Sequence, residues 1–258
     1  MSPSKSPWLR SDKIALASFI VALIGVVVSI LVIPRVSDLL GLNPQPKPLL
    51  EGSVSTVSSS VINLSTEGTL DWIHWGYLER DNASSAEFIG NPLIVDCQTN
   101  SHCTNRKQNT LQQISDFAVF GSFDSSKLPY RLYARDVVTK FSWNDGSPIS
   151  SATNARTTDY MAGLGNGFKI QVPADRTTHT LKIYLALWQA QLKFTASLSD
   201  GSVPDYVDTS VQSRAYYDDV YTITYRNPSS NQPLTITLTM LSDYQNAGNI
   251  SLIAATLQ

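Results

Sequence analysis

The sequence lacks most of the residues and motifs that mark the common classes of enzyme. The 258-residue chain has three histidines and contains neither a Gly-x-Ser-x-Gly nor a His-Glu-x-x-His motif. These absences argue against the α/β-hydrolases and against the zinc proteases that use those motifs. A glycosidase is still open, because its paired carboxylates need no local motif. The sequence therefore favours a protein that is not an enzyme, without excluding a glycan-active hydrolase.

The chain also lacks an excess of positive or of negative charge. The chain carries 19 Lys and Arg against 21 Asp and Glu, a formal net charge of -2. A nearly neutral chain has no long-range field that would concentrate nucleic acid, and no basic patch is interleaved with aromatic residues. We expect no nucleic-acid partner.

Cysteine is scarce too, and the only two, Cys97 and Cys103, lie close together in the segment CQTNSHC. In an exported protein, such a pair can close a small disulfide loop. The alternative is a metal site that also uses His102, but two thiolates and one imidazole leave tetrahedral zinc one ligand short. We expect the disulfide, in a surface insertion.

One long apolar run stands out against these absences. Residues 14–33 contain no charge and are bracketed by Lys13 and Arg35. As a helix, twenty residues extend about 30 Å, the thickness of the hydrocarbon core of a bilayer. A cleaved signal peptide is the alternative, but its apolar region is usually shorter and ends at a small-residue cleavage site. The run therefore predicts a transmembrane helix in contact with membrane lipid.

The flanks of this run predict its orientation. Lys5, Arg10 and Lys13 precede it, while positive charges are sparser after it. This bias favours a cytoplasmic N-terminus and an extracytoplasmic body. The predicted organisation is a cytoplasmic tail at 1–13, the helix at 14–33, a Pro-rich linker at 34–52, and a β-sandwich domain at 53–258 with a Cys-containing inserted loop at about 80–106.

After the linker the pattern changes to short alternating runs. In Leu181–Trp188 every second residue is Leu or Ile, and Ala190–Leu198 alternates apolar and polar residues. Both runs are typical of half-buried strands, and we expect them to be antiparallel neighbours. Asn144-Asp145-Gly146 and Asp200-Gly201-Ser202 are typical of tight turns. About a dozen such runs without a long helical period predict an all-β fold, an antiparallel β-sandwich or jelly roll.

The segment Asn63–Gly76, NLSTEGTLDWIHWG, resembles the first strand of β-sandwich modules found in bacterial exported and multidomain proteins. The likeness continues at four further segments: Gln113–Ser115, Phe141–Pro148, Gly167–Ala174 and Thr195–Ser202. The resemblance implies a fold loosely similar to galactose-binding jelly rolls and a setting among carbohydrate-active or adhesive proteins. It implies no mechanism. The chain departs from the pattern in the link between the Trp-Gly strand and Gln113–Ser115, which is longer here by about 25 residues and contains the cysteine pair. We also expect no catalytic domain beside the module.

Aromatic residues are the best indication of function. Flat rings stack on the apolar faces of sugars, while polar side chains supply directed hydrogen bonds. The candidates for ligand binding are Trp72, His74, Trp75, Trp143, Tyr160 and Trp188. The alternative is that these rings fill the core. Trp72 and Trp75 have opposite parity, so at most one of them is a core residue if the strand is regular.

Acidic residues in the predicted loops are a second, weaker indication. We expect no cofactor and interpret these residues as solvated loop carboxylates. The alternative is a calcium ion, which favours oxygen ligands, although no spacing matches a known calcium loop. The residues concerned are Asp200, Asp205, Asp208, Asp218 and Asp219. The leading hypothesis is a membrane-anchored surface module that binds carbohydrate. The alternatives are a structural or protein-interaction module of the cell envelope and a glycan-active hydrolase.

Overall fold

The computed structural model of the chain describes residues 18–20, 22, 46–57, 61–78, 103–122, 131–132, 138–213, 217–229 and 232–258. The chain divides into two compact units, Met1–Pro46 and Lys47–Gln258. In the first unit residues 18–20 and 22 are helical, and the rest of the predicted span 14–33 lies outside the described residues. Within the described residues, no helix has both the length and the apolar character that a membrane crossing needs.

The second unit is all-β, as predicted, and its strands form three sheets. The central sheet has nine strands: β1 (Leu49–Thr56), β3 (Asp71–Trp75), β4 (Thr104–Lys107), β6 (Arg131–Leu132), β8 (Gly146–Ser147), β10 (Thr158–Ala162), β12 (His179–Trp188), β16 (Tyr217–Arg226) and β18 (Asn249–Leu257). Their order is β1-β16-β12-β18-β3-β4-β8, with β10 paired to β18 and β6 paired to β10. All of these pairings are antiparallel.

A second sheet of six strands packs on one face of the central sheet. Its strands are β5 (Ala118–Phe120), β11 (Gly167–Ala174), β13 (Ala190–Leu198), β14 (Tyr206–Asp208), β15 (Gln212–Ser213) and β17 (Gln232–Asp243). Buried and more exposed residues alternate along β13 and, from Phe168 onward, along β11, which is why Phe168, Ile170, Phe194 and Leu192 line the interior. The apolar faces of the two sheets form the larger core of a β-sandwich.

A third, small sheet covers part of the other face of the central sheet. It contains β2 (Val61–Asn63), β7 (Lys140–Trp143) and β9 (Ala152–Ala155), and the one-turn helix α1 (Leu64–Glu67) follows β2 directly. Phe141 and Trp143 of β7 pack against Trp72, Tyr184 and other buried residues in a second core cluster. The centre of the central sheet is therefore buried on both faces.

Strands β12 and β13 are not the antiparallel neighbours that their alternation predicts. Strand β12 lies in the central sheet and β13 in the six-stranded sheet, so the prediction is wrong. The chain crosses between the sheets at Gln189, whose φ of +48° places it in the left-handed region and allows a sharp corner. The two apolar faces consequently meet across the core, an arrangement that produces the same sequence pattern as edge-to-edge pairing.

The structure also shifts two of the predicted boundaries and changes the number of strands. Leu49–Gly52 pairs with Ile223–Arg226, so the predicted linker 34–52 includes the start of β1. Strand β4 begins at Thr104, so the inserted loop ends before residue 106, and residues 79–102 lie outside the described residues. There are eighteen strands among the described residues where we expected about a dozen, because several are only two or three residues long.

Candidate functional site

Strand β3 holds a neighbouring loop in place with two of its side chains. The buried carboxylate of Asp71 accepts hydrogen bonds through Oδ2 from the backbone N–H groups of Gln113 (2.7 Å) and Ile114 (2.8 Å). Trp75 donates from Nε1 to Oδ1 of Asp116 at 2.8 Å. The Asp-Trp-x-His-Trp segment therefore fixes the conformation of the loop at 113–116.

The same loop is tied to β11 on its other side. Ser115 donates its backbone N–H to the carbonyl of Gln171, and the N–H of Gln171 donates to Oγ of Ser115, both at 2.9 Å. Between the loop and the strand lies a groove of about 610 Å³. It is lined by Arg106, Gln112–Asp116, Gln171–Asp175, Gln232 and Pro233. Its volume falls in the range typical of ligand sites.

Arg106 is the cation of this groove. Its Nη1 donates to the carbonyl of Ile114 at 2.7 Å, and it makes no other hydrogen bond or ion pair to the described residues. Burial lowers the pKa of Arg106, and the nearby charges of Asp116 and Asp71 oppose that shift. An arginine carries five N–H donors and stays protonated, so most of the donors of Arg106 are open to a ligand.

Glutamine amides supply the neutral hydrogen-bonding groups. The side chains of Gln112, Gln113 and Gln171 make no hydrogen bond to the described part of the protein, and Gln112 and Gln171 are exposed. Gln232 accepts from Ser199 through Oε1, so its amide N–H₂ is available. Each planar amide can donate and accept at once, as a vicinal pair of sugar hydroxyls also can.

The exposed carboxylates at the groove are partly engaged by the protein. Asp116 Oδ1 also accepts from the N–H of Phe117 at 2.9 Å, and Asp175 Oδ1 accepts from the N–H of Thr177 and lies 3.0 Å from Nε2 of His179. Partial burial acts in the opposite direction, but these hydrogen bonds hold the pKa of Asp175 below its usual range. The general acid of a glycosidase needs a raised pKa, so Asp175 is unsuited to that role.

Four of the predicted ligand-binding residues are buried instead of lining a site. Trp72, His74 and Trp75 are fully buried and Trp143 is 3% exposed. Trp72, His74 and Trp75 are buried because β3 is covered on both faces: Trp75 faces the larger core, whereas Trp72 and His74 pack in the second cluster with Trp143 of β7. The expectation that at most one of Trp72 and Trp75 is a core residue fails for the same reason.

Tyr160 and Trp188 are both half-buried and lie outside the groove. Tyr160 pairs with Ser251 and Trp188 pairs with Asn249, on opposite sides of strand β18. Because antiparallel partners share a face and residues two apart in a strand do as well, both side chains belong to the same face of the central sheet. The structure thus brings these two aromatic candidates near each other but apart from the open polar groups of the groove.

Of the two cysteines for which we expect a disulfide, Cys103 lies among the described residues, where it is fully buried and disulfide-bonded. The only other cysteine of the chain is Cys97, which lies outside the described residues. Cys103 directly precedes β4, and its carbonyl accepts from the N–H of Gly76 at 2.9 Å, so the disulfide fixes one end of the insertion beside β3.

The predicted acidic loop residues do not form a calcium site in the part of the chain that the structure describes, where no three His, Cys, Asp or Glu groups are grouped for a metal. Asp200 accepts from Asn227, Asp208 accepts from Tyr221 and Asp218 accepts from the N–H of Thr139. Protein donors thus occupy at least one oxygen of each of these carboxylates.

Asp219 is the acidic residue that should influence stability most clearly. Burial raises the pKa of Asp219 to about 6 against a hydrogen bond from Thr56, and the charges of Asp218 and Asp208 add to the rise. Between the ordinary aspartate pKa and 6 the native state binds more protons than the unfolded state, so stability falls as pH rises.

We therefore expect Asp219→Asn to remove this loss. Between pH 4 and pH 7.5 its free energy of unfolding should rise by about 2 kcal/mol relative to that of the natural chain, a value reduced for solvent screening. Urea unfolding at the two pH values measures it. Asp205→Asn, at an exposed position, is the control. An Asp219→Asn variant with the pH profile of the natural chain would contradict the expectation.

Sequence reasoning missed the groove residues themselves. Arg106 lies at the end of the predicted insertion, and Gln112 and Gln113 lie where we expected no site. The signal that could have found them was the segment Gln113–Ser115, which belongs to the resemblance and joins β3 to β11. Its partners in the fold are 42 and 56 residues away in sequence, a separation that no local pattern encodes.

No protein-family model and no curated protein matches the chain. Among solved structures, the bacteriophage CBA120 tailspike protein 4 enzymatically active domain has a TM-score of 0.31 and 9% identity over 40% of this chain, which spans only 16% of the tailspike chain. TmCBM61 in complex with β-1,4-galactotriose has a TM-score of 0.28 and 10% identity, covering 40% of this chain and 70% of its own. The carbohydrate-binding module CBM36 in complex with calcium and xylotriose has a TM-score of 0.26 and 12% identity, covering 43% and 83%. Similarity this low does not establish a shared site.

Proposed function

We propose that this chain is a single-pass membrane-anchored, cell-surface module whose groove binds carbohydrate. The observation that carries the proposal is the set of open hydrogen-bonding groups in one groove: the guanidinium of Arg106 and the amides of Gln112, Gln113 and Gln171. Sugars present many hydroxyls that donate and accept, and planar amide and guanidinium groups match them. Pro173 and Pro233 add flat apolar surface for the ring faces.

The groove is unsuited to the main alternative, the addition of a protein strand. A strand that joins a sheet edge needs backbone donors and acceptors on that edge. Pro173 has no N–H, and its carbonyl accepts from the hydroxyl of Tyr225 at 3.1 Å. The polar side chains of this groove are therefore its main recognition groups, which favours a hydroxylated ligand over a peptide strand.

The proposal is tested with the full chain in detergent micelles against a panel of soluble polysaccharides and cell-wall fractions. We expect a Gln112→Ala, Gln171→Ala double variant to bind its glycan about 10-fold more weakly, the equivalent of two modest hydrogen bonds. Gln212→Ala, at an exposed position on β15 outside the groove, is the matched control. Binding that both variants retain in full would place the site elsewhere, and absence of any binding would favour the envelope-assembly function.

The anchored location rests on the charge-free run at residues 14–33 and on the positive residues before it. An integral protein stays in the membrane fraction at alkaline pH, whereas a cleaved or peripheral form is released. In intact cells, protease added outside should digest the body and leave a tag on residues 1–13 protected. Release at alkaline pH, or a tag accessible from outside, would contradict this part of the proposal.

A further inference from the structure

The groove has an unequal balance of charges. Its walls carry Asp116 and Asp175, and the buried Asp71 lies behind the loop at 113–116. Among the described residues that line the groove, Arg106 carries the permanent positive charge that opposes them. His179, which pairs with Asp175, is charged only when protonated, and Arg176, which follows Asp175 in the chain, is not among the residues that line the groove. At neutral pH the groove is therefore net negative.

Arg106 does not reverse this balance for an incoming anion. The negative charges of Asp116 and Asp71 raise the pKa of Arg106 against the effect of its burial, so they already act on the positive charge of Arg106 before a ligand arrives. A carboxylate or sulfate on the ligand would form hydrogen bonds with the guanidinium but would also approach two or three fixed carboxylates. A hydroxyl accepts from Arg106 and donates to the remaining oxygens of Asp116 and Asp175 without that repulsion.

The length of the groove adds a second constraint. One wall runs over five consecutive residues, Gln171–Asp175, of which the first four belong to β11 and the last follows it, and four extended steps measure about 13 Å. One pyranose ring is clearly shorter than this wall. Polar groups lie at both ends of it, with Gln171 at one end and Asp175 at the other, so a ligand that used all of them would be a short run of linked sugars.

Resting on the proposed carbohydrate function, we propose that the groove selects an uncharged oligosaccharide segment and discriminates against uronate-containing and sulfated glycans. Selection comes from the fixed carboxylates of Asp116 and Asp175, while Arg106 donates to hydroxyl oxygens. The net charge of the groove, not the shape of one sugar, sets this preference.

The test compares each glycan with a matched charged form of itself. The full chain in detergent micelles is titrated with amylose, hydroxyethylcellulose and galactomannan, each before and after oxidation of its C6 hydroxymethyl groups to carboxylates. For any glycan that binds, we expect the oxidised form to bind about 10-fold more weakly at low salt, the size of a repulsion between charges a few ångströms apart near water. Added salt should narrow that gap.

Two variants separate the groove from the rest of the surface. Asp175→Asn should reduce the ratio of the affinities for the neutral and the oxidised glycan by about threefold. Asp205→Asn, at an exposed position outside the groove, should leave that ratio unchanged. Equal or tighter binding of the oxidised forms would overturn the inference while leaving carbohydrate binding intact. Binding of neither form of any of the three glycans would contradict the proposed function itself, and the inference would fail with it.

Discussion

At pH 4 the His74→Phe variant should be more stable than the natural chain by about 3 kcal/mol, while at pH 7.5 the two should differ by about 1 kcal/mol or less. His74 is fully buried, its ring lies 5.8 Å from that of Phe141 and 5.2 Å from that of Trp143, and neither ring nitrogen has a hydrogen-bond partner among the described residues. A phenyl ring keeps the aromatic packing and removes two unsatisfied polar atoms.

The pH dependence follows from the protonation of the imidazole. Burial lowers the pKa of His74 from 6.5 to about 3. Between these two values the unfolded state binds a proton that the native state does not, so stability is complete above pH 6.5 and is lost as pH falls toward 3. The phenylalanine variant has no such proton to bind and should not show this part of the acid loss.

Urea unfolding of the full chain at pH 7.5 and pH 4 measures the difference. His179→Gln is the control, because its ring is also buried but lies beside the carboxylate of Asp175. An NMR titration provides a second measurement, in which the His74 ring protons should not shift between pH 8 and 4. A His74 that titrates near 6.5, or a His74→Phe variant with the same acid loss as the natural chain, would contradict the expectation.

The sequence predicted strands best where one face of the strand meets water. Residues 190–198 alternate cleanly, and β13 has the predicted bounds, because its outer face is solvated and its inner face packs on the larger core. Strand β3 was located correctly, but its environment was not. All five of its residues are buried because sheets cover both of its faces, so parity could not distinguish core from surface.

The candidate site was harder to predict than the fold. The aromatic residues that suggested a sugar site are mostly buried: Trp72 donates to Asp145 and Trp143 donates to the carbonyl of Ile149. The groove depends instead on glutamine and arginine side chains, whose exposure follows from contacts between segments far apart in the chain. Composition and periodicity report which residues can pack or pair, but they do not report which polar groups are left open.

The second large effect should come from Asp71, which links the central sheet to the groove. Replacement by alanine removes two hydrogen bonds to an ionised acceptor, each of about 1.5 to 3 kcal/mol, and leaves the buried N–H of Ile114 without its partner. We expect Asp71→Ala to lower the free energy of unfolding by about 3 to 4 kcal/mol. Asp71→Asn retains an acceptor oxygen and should lose about half as much.

The effect on the groove should be separable from the effect on stability. In Asp71→Ala the amides of Gln113 and Ile114 should exchange with solvent much faster than in the natural chain, and glycan binding should fall by more than in the glutamine double variant.

Asp145→Ala is the matched control, because Asp145 accepts from Ser65, Trp72 and Lys107 and lies outside the groove lining. It should also destabilise the chain, yet leave those two amides protected and binding unchanged. Because both variants should lose stability, faster exchange of the Gln113 and Ile114 amides in Asp71→Ala alone would show that the carboxylate of β3 sets the shape of the groove. Equal protection in both would mean that Ser115, Trp75 and Arg106 suffice to hold the loop.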